Sequence, residues 1–185
     1  MNGSRALGVL LLATVVVAVA VLARVGSAQE PANEETISGT ISTTRVIVQN
    51  ARLTGDVTCM VNAAPCIQFG VPGLTLNLAG FTITGQADAS TSCQGNFVGT
   101  ATGIGNEDGI AAIAQVDETI QGPGLVQRFR GDGIQFLNSA RNLVTHVTAS
   151  TNCLSGILVF NSSDNHIESN ISVRNGNTGF PCGGI

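Results

Sequence analysis

The chain contains no tryptophan, no tyrosine and no lysine, and only 11% of its 185 residues are charged. Its twelve acidic residues outnumber eight arginines, which gives a formal net charge of −4. Nucleic-acid binding needs a basic surface, so this composition excludes nucleic acid as a partner. The same acidity disfavours unassisted binding of polyanionic sugars. Any aromatic platform for a sugar ring must come from the seven phenylalanines.

Long apolar runs are absent except at the start of the chain. Arg5 precedes an uncharged, mostly apolar run over residues 6–23, and the small residues Gly26-Ser27-Ala28 follow it. This order predicts a secretory signal peptide over residues 1–28. The run is short for a bilayer span, so an uncleaved membrane anchor stays an open alternative. Either case predicts a secreted, periplasmic or cell-surface protein.

Cysteine is scarce, and the five that occur have informative positions. In an exported chain they predict disulfides with one thiol left over. Cys59 and Cys66 close a short loop, and Cys153 and Cys182 fall at nearly the same turn of successive repeats. We therefore expect these two pairs, with Cys93 unpaired. No Cys-x-x-Cys pair occurs, which disfavours a zinc site.

What the chain does contain is a repeat. A Gly-Ile pair recurs at residues 109, 133, 156 and 184, with spacings of 24, 23 and 28 residues. A period of this length is typical of a solenoid, in which each unit packs only on its neighbours. The units are rich in β-branched residues and bounded by Gly, Asn, Asp and Ser, which predicts strands. We expect a lead-in over residues 29–36 and one repeat domain over 37–185, with an insertion over 86–107.

Superposing the repeats places similar side chains in columns. Ten residues after each leading isoleucine come Ile120, Val144 and Ile167, which are predicted to face inward. Asparagines recur at three further positions: Asn138 and Asn161, Asn142 and Asn165, and Asn152 and Asn175. Asparagine tolerates left-handed backbone angles, so these columns are predicted to occupy the turns. His146 and His166 fall on different columns and are not expected to pair.

Two earlier segments carry a family resemblance, namely residues 53–59 (LTGDVTC) and 74–85 (LTLNLAGFTITG). Together with the Gly-Ile and Asn-rich repeats, they resemble the right-handed parallel β-helix proteins of the pectate-lyase-like superfamily. The resemblance covers about residues 46 to 185 and implies an all-β parallel β-helix of roughly five coils. That fold hosts lyases, hydrolases, epimerases, adhesins and surface proteins, so it does not fix an activity.

The best candidate site is a pair of aspartates. Asp108 and Asp132 each precede the glycine that opens a coil, so they are predicted to lie one above the other, with Glu107 and Arg130 nearby. Stacked carboxylates could bind Ca²⁺ through Glu107, Asp108 and Asp132, or could hydrolyse a glycoside. Asp-Gly is also a common turn dipeptide, which needs neither role. The resemblance implies that in a lyase Arg128 or Arg130 would act as base or clamp.

These observations favour an exported, non-catalytic scaffold of the cell envelope or exterior, with glycans as candidate ligands. The alternative is a polysaccharide lyase or glycoside hydrolase that uses Asp108 and Asp132 with Arg128 or Arg130. No cofactor other than Ca²⁺ is expected. The sequence stops at the first two residues of a new coil, Gly184-Ile185, which predicts a truncated repeat and self-association through an open C-terminal edge.

Overall fold

The computed structural model describes residues 34–87 and 107–176. Within these ranges the secondary structure consists of β-strands, with no α-helix long and apolar enough to span a membrane. The strands are β1 (Glu35–Ile41), β2 (Arg45–Ile47), β3 (Ala51–Cys59), β4 (Ile67–Phe69), β5 (Thr75–Asn77), β6 (Thr82–Thr84), β7 (Ile110–Ile113), β8 (Thr119–Gln127), β9 (Ile134–Leu137), β10 (Leu143–Ser150), β11 (Ile157–Phe160), β12 (His166–Glu168) and β13 (Ile171–Val173).

The strands form two parallel sheets that the chain visits in turn. One sheet has the order β1-β3-β5-β8-β10-β12, with β6 and β13 continuing the layers of β5 and β12; the other has the order β11-β9-β7-β4-β2. Each circuit adds one layer to both sheets, which is the arrangement of a parallel β-helix. The second sheet has five strands, one per coil, so the predicted all-β fold of roughly five coils is confirmed.

The predicted register of the repeats is confirmed residue by residue. Ile110 pairs with Ile134, and Ile134 pairs with Ile157. Ile67 precedes them in the same row, 43 residues before Ile110, because the predicted insertion lies between the two. This earlier coil lacks the Gly-Ile pair, since Cys66 precedes Ile67, and the repeat pattern alone did not identify it.

The core runs up the centre of the coils as stacked rows of apolar side chains. Leu76, Ile120 and Val144 lie in one row and are fully buried. Ile167 continues that row in the last described layer and is partly buried against the core. The predicted inward column is therefore confirmed. Because each side chain contacts those above and below it, burial accumulates along the axis and not within one coil.

Close contact between backbones explains why glycine opens the coils that begin at Gly109 and Gly133. A Cβ atom added to Gly109 would lie 2.5 Å from the carbonyl oxygen of Gly133, and one added to Gly133 would lie 2.6 Å from the carbonyl oxygen of Gly156. Those carbonyls accept hydrogen bonds from Ile110 and Ile134, so they cannot move aside without breaking the ladder. The repeated glycine is a packing requirement between successive coils.

The turns repeat in backbone angle as well as in sequence. Ala114, Asn138 and Asn161 have φ angles of 55°, 52° and 49° at equivalent positions. Left-handed backbone at these asparagines agrees with the prediction. The other asparagine columns have a different cause: Asn142 and Asn152 do not adopt positive φ, and their side chains bind the backbone of neighbouring coils. The predicted position between strands is confirmed for Asn142 and Asn152, but a left-handed backbone is not the reason for asparagine there.

The predicted disulfide between Cys59 and Cys66 is confirmed. Cys153 is also disulfide-bonded. The proposed partner Cys182 and the remaining Cys93 lie outside the described residues, so the pairing of Cys153 stays a prediction. The predicted signal peptide, most of the predicted insertion and residues 177–185 also lie outside them.

Candidate functional site

The two aspartates predicted to stack do lie one above the other, but in the interior. Asp108 Oδ1 accepts a hydrogen bond from the backbone N–H of Asp132 at 2.7 Å, and Asp132 Oδ1 accepts one from the N–H of Ser155, also at 2.7 Å. Asp108 is 1% exposed and Asp132 is 0% exposed. The column therefore fastens three successive coils together through buried side-chain to backbone hydrogen bonds.

Arg130 lies close to this column, as predicted, but it is bound elsewhere. Its guanidinium forms a two-point ion pair with Glu107, which includes a bond from Nη2 to Oε1 of 2.7 Å. Glu107 Oε1 also accepts the N–H of Ala63 at 2.8 Å. Arg128 donates to the carbonyl of Ala87 at 3.0 Å. Arg130 therefore pairs with Glu107, and Arg128 anchors the segment that contains Ala87.

The environment of Asp108 disfavours an ionised carboxylate. Burial, reinforced by the negative charge of Asp132, raises the pKa of Asp108 well above the usual value for a carboxyl group. Its second oxygen has no hydrogen-bond partner among the described residues. The crevice between Asp108 and the Cys59–Cys66 loop is too narrow to hold a water molecule. A substrate has no path to this carboxyl through that crevice.

The same residues do not fit a calcium ion. Ca²⁺ needs six to eight oxygen ligands, most of them free to turn toward the ion. Here Glu107 is occupied by Arg130 and Ala63, and one oxygen of each aspartate is occupied by a backbone N–H. In residues 34–87 and 107–176 no group of three or more His, Cys, Asp or Glu is arranged to hold a metal.

An open polar groove lies at the other end of strands β9 and β11 from the stacked aspartates. It has a volume of about 450 Å³, and we call its lining the turn face: Asn138, Ser139, Ala140, Asn161, Ser162 and Ser163. These are the residues that follow β9 and β11, so equivalent positions of two coils stack there. The backbone N–H of Ser139 donates to Ser162 Oγ at 2.9 Å, which fixes the spacing of the two turns.

The two asparagines of the turn face keep polar atoms available to solvent. Asn161 Nδ2 donates to Asn138 Oδ1, and both side chains are exposed. This bond uses the side-chain oxygen of Asn138 and one side-chain N–H of Asn161. The side-chain N–H₂ of Asn138 and the side-chain oxygen of Asn161 can therefore bind other partners. Phe160, the residue before Asn161, is 41% exposed and is the one exposed phenylalanine among the described residues. The groove thus offers a donor and an acceptor, and an exposed phenylalanine precedes one of its lining residues in the chain.

The comparison with known families agrees with this architecture. The family model described as a right-handed β-helix region matches residues 80–183, which is more than half of the chain. The chain belongs to the right-handed β-helix family. No curated protein sequence and no solved structure matches it significantly. The family establishes the handedness and the fold of this β-helix. It does not assign a function to the site.

One buried acid of the β-helix was missed by the sequence analysis. Glu118 is 0% exposed, and its Oε2 accepts the backbone N–H of Leu74 at 3.0 Å. It occupies the column of Asn142 and Asn165, whose side chains bind the preceding coil in the same way. The signal was its position eight residues after Ile110, where later coils carry asparagine. Burial raises the pKa of Glu118 to about 7.

The raised pKa of Glu118 predicts that the β-helix loses stability as pH rises. The unfolded carboxyl ionises near 4.5 and the folded one near 7, so the folded state binds more protons between these values. The free energy of unfolding should therefore fall through this window. The full shift is worth about 3 kcal/mol, and we expect to observe about 2 kcal/mol of it over this window. Chemical denaturation between pH 4.5 and about 8 measures the slope.

A Glu118→Gln variant should reduce this dependence, because glutamine resembles the neutral acid at every pH. Asp108 adds a contribution of the same sign. Glu168→Gln, which removes an exposed carboxylate on β12, is the matched control and should leave the slope unchanged. An equal slope in wild type and Glu118→Gln would contradict the role assigned to this residue.

The two histidines of the β-helix do not form a site. His146 contacts Thr145 Oγ1 through Nδ1 at 2.7 Å, whereas His166 pairs in register with Leu143. The prediction that the two histidines fall on different columns is therefore confirmed.

Proposed function

We propose that this protein is an exported, non-catalytic β-helix scaffold that binds glycan chains along its turn face. The observation that carries the proposal is the stacked pair Asn138 and Asn161, two exposed side chains that bind each other and line the groove. A sugar hydroxyl both donates and accepts hydrogen bonds, so such a pair matches it. Phe160, which precedes Asn161 and is 41% exposed, is the nearest exposed aromatic residue in the sequence that could contact a sugar ring.

The condition of the carboxylates supports a non-catalytic role. General acid–base catalysis requires a side chain within hydrogen-bond reach of the substrate, and glycoside hydrolysis requires two such carboxyl groups around one bond. Asp108 and Asp132 are buried, and each binds the backbone of the next coil. Their geometry serves the stacking of coils, and water cannot enter the crevice beside Asp108.

Export is supported by two independent features. Residues 1–28 have the charge, apolar run and small residues of a secretory signal. The Cys59–Cys66 disulfide is buried in the fold, and such bonds persist in oxidising compartments. A protein with both features meets extracellular or envelope polysaccharides in its own compartment.

The proposal predicts that glycan binding depends on the turn-face amides. Replacing Asn138 and Asn161 together by glycine removes both side chains and relieves the left-handed backbone, so the fold should remain intact. We expect affinity for a bound polysaccharide to fall at least about tenfold, since two hydrogen bonds are lost. Phe160→Ala should also weaken binding. Affinity electrophoresis of the purified protein in gels that contain single polysaccharides measures the effect.

The matched control is His146→Gly with Ser169→Gly. These exposed residues form another column of left-handed backbone, with φ angles of 58° and 55°; His146 lies at an irregularity within β10 and Ser169 follows β12, and neither lines the turn face. This control should bind like the wild type. Retention of wild-type affinity by the Asn138→Gly/Asn161→Gly protein, or retardation by none of the polysaccharides tested, would refute the proposal.

A further inference from the structure

We propose that the glycan bound at the turn face is uncharged, and that the protein discriminates against uronate polymers. This inference rests on the proposed function and names the class of its ligand. Its evidence is a column of charged side chains that borders the turn face. Asp117, Arg141 and Asp164 occupy equivalent turn positions of three successive coils, immediately after the residues that line the groove.

The only cation of this border column is already bound by a carboxylate. Arg141 Nε donates to Asp117 Oδ1 at 2.7 Å, and Arg141 Nη2 donates to Asp117 Oδ2 at 2.8 Å. Asp164 acts on the same guanidinium from the following coil and, with Asp117, raises the pKa of Arg141. With two carboxylates and one guanidinium, the column has a net charge of −1.

The other described arginines do not supply a cation to the groove. Arg130 is paired with Glu107, Arg128 binds the carbonyl of Ala87, and Arg45 is paired with Glu35. Arg52 on β3 and Arg174 after β13 are exposed but do not line the groove. In the part of the chain that the structure describes, no arginine lines the turn face.

This charge pattern has opposite consequences for the two classes of glycan. Proteins bind carboxylates most strongly through arginine or lysine, often by paired hydrogen bonds. At the turn face a uronate would meet unpaired amides and a net negative border, so each carboxylate would lose hydration without gaining a cation. A neutral sugar presents only hydroxyls and apolar ring faces to the same groove. The groove therefore selects for neutral chains by electrostatic exclusion.

The test is a charge change that leaves the groove itself unaltered. The variant Asp117→Asn with Asp164→Asn frees Arg141, and asparagine tolerates the φ angles of 65° and 56° at these positions. Glu34→Gln with Glu168→Gln removes two exposed carboxylates elsewhere and matches its net charge. Each protein is compared in affinity electrophoresis against neutral hexose, pentose and N-acetylhexosamine polymers and against a polyuronate of similar length.

We expect the wild type to bind at least one neutral polymer about tenfold or more tightly than the polyuronate. The Asp117→Asn/Asp164→Asn variant should gain about fivefold or more in polyuronate binding, in a manner that salt suppresses, while its neutral binding changes by less than about twofold. The control should gain neither. Equal or tighter binding of polyuronate by the wild type would overturn this inference and leave glycan binding intact. Binding of no polymer by any variant would instead overturn the proposed function.

Discussion

Replacing Gly133 by alanine is expected to lower the melting temperature of the β-helix by about 10 °C. The added Cβ would lie 2.6 Å from the carbonyl oxygen of Gly156 and 2.6 Å from Asn152 Nδ2. That carbonyl accepts the N–H of Ile134 at 3.0 Å, so relief of the clash requires a shift of the ladder between two coils. Overpacking of this kind costs about 3 kcal/mol. Thermal unfolding followed by circular dichroism measures it.

Gly55→Ala on β3 is the matched control. Its Cβ would meet Ser38 Cβ at 3.2 Å, a side-chain contact that can adjust, and its φ angle is not positive. We expect a change of less than about 1 kcal/mol there. A melting temperature of Gly133→Ala equal to that of Gly55→Ala would mean that the repeated glycine does not serve coil-to-coil contact.

Replacing Asp132 by alanine is expected to cost about 3 kcal/mol, whereas Asp132→Asn should cost less than about 1 kcal/mol. Alanine leaves the N–H of Ser155 buried without its acceptor at 2.7 Å and opens a small cavity in a fully buried place. Asparagine retains an oxygen at the same position. Urea denaturation with a common slope for all variants gives the difference in free energy of unfolding.

Asp56 supplies the comparison in an exposed setting. Its Oδ1 accepts the N–H of Thr82 at 2.9 Å in the same manner, but water can replace it there. Asp56→Ala should therefore cost less than about 1 kcal/mol. If Asp132→Asn destabilises the protein as much as Asp132→Ala, the oxygen that accepts the N–H of Ser155 is not what stabilises the fold, and the role of Asp132 as a backbone acceptor is incorrect.

The fold could be predicted from the sequence because equivalent positions of successive coils in a solenoid need the same residue types. The spacing of Ile110, Ile134 and Ile157 fixes the register, since each must lie above the last in the core. The coil that begins at Ile67 follows no Gly-Ile pair, and the insertion separates it from the next repeat. It was therefore recognised only by resemblance.

The stacking of Asp108 and Asp132 was predicted correctly, but their burial was not. The residue before each glycine correctly placed Asp108 beneath Asp132, yet a one-dimensional pattern does not say whether a turn residue points inward or outward. The structure buries both side chains. Glu118 was not predicted as a buried acid for the same reason, since the equivalent positions of later coils carry asparagine. The turn face appears only when two coils are stacked, since neither turn alone forms a groove.

The central claim is that ligand binding belongs to the turn face and that the buried aspartates serve the fold. The most direct test measures affinity for a neutral polysaccharide, together with release of unsaturated products from polyuronate and Ca²⁺, in three proteins: wild type, Asn138→Gly/Asn161→Gly and Asp132→Asn. The account predicts no product from any of them, wild-type affinity for Asp132→Asn, and an affinity about tenfold or more lower for the turn-face variant. Turnover by the wild type that disappears in Asp132→Asn, or loss of binding in Asp132→Asn alone, would contradict it.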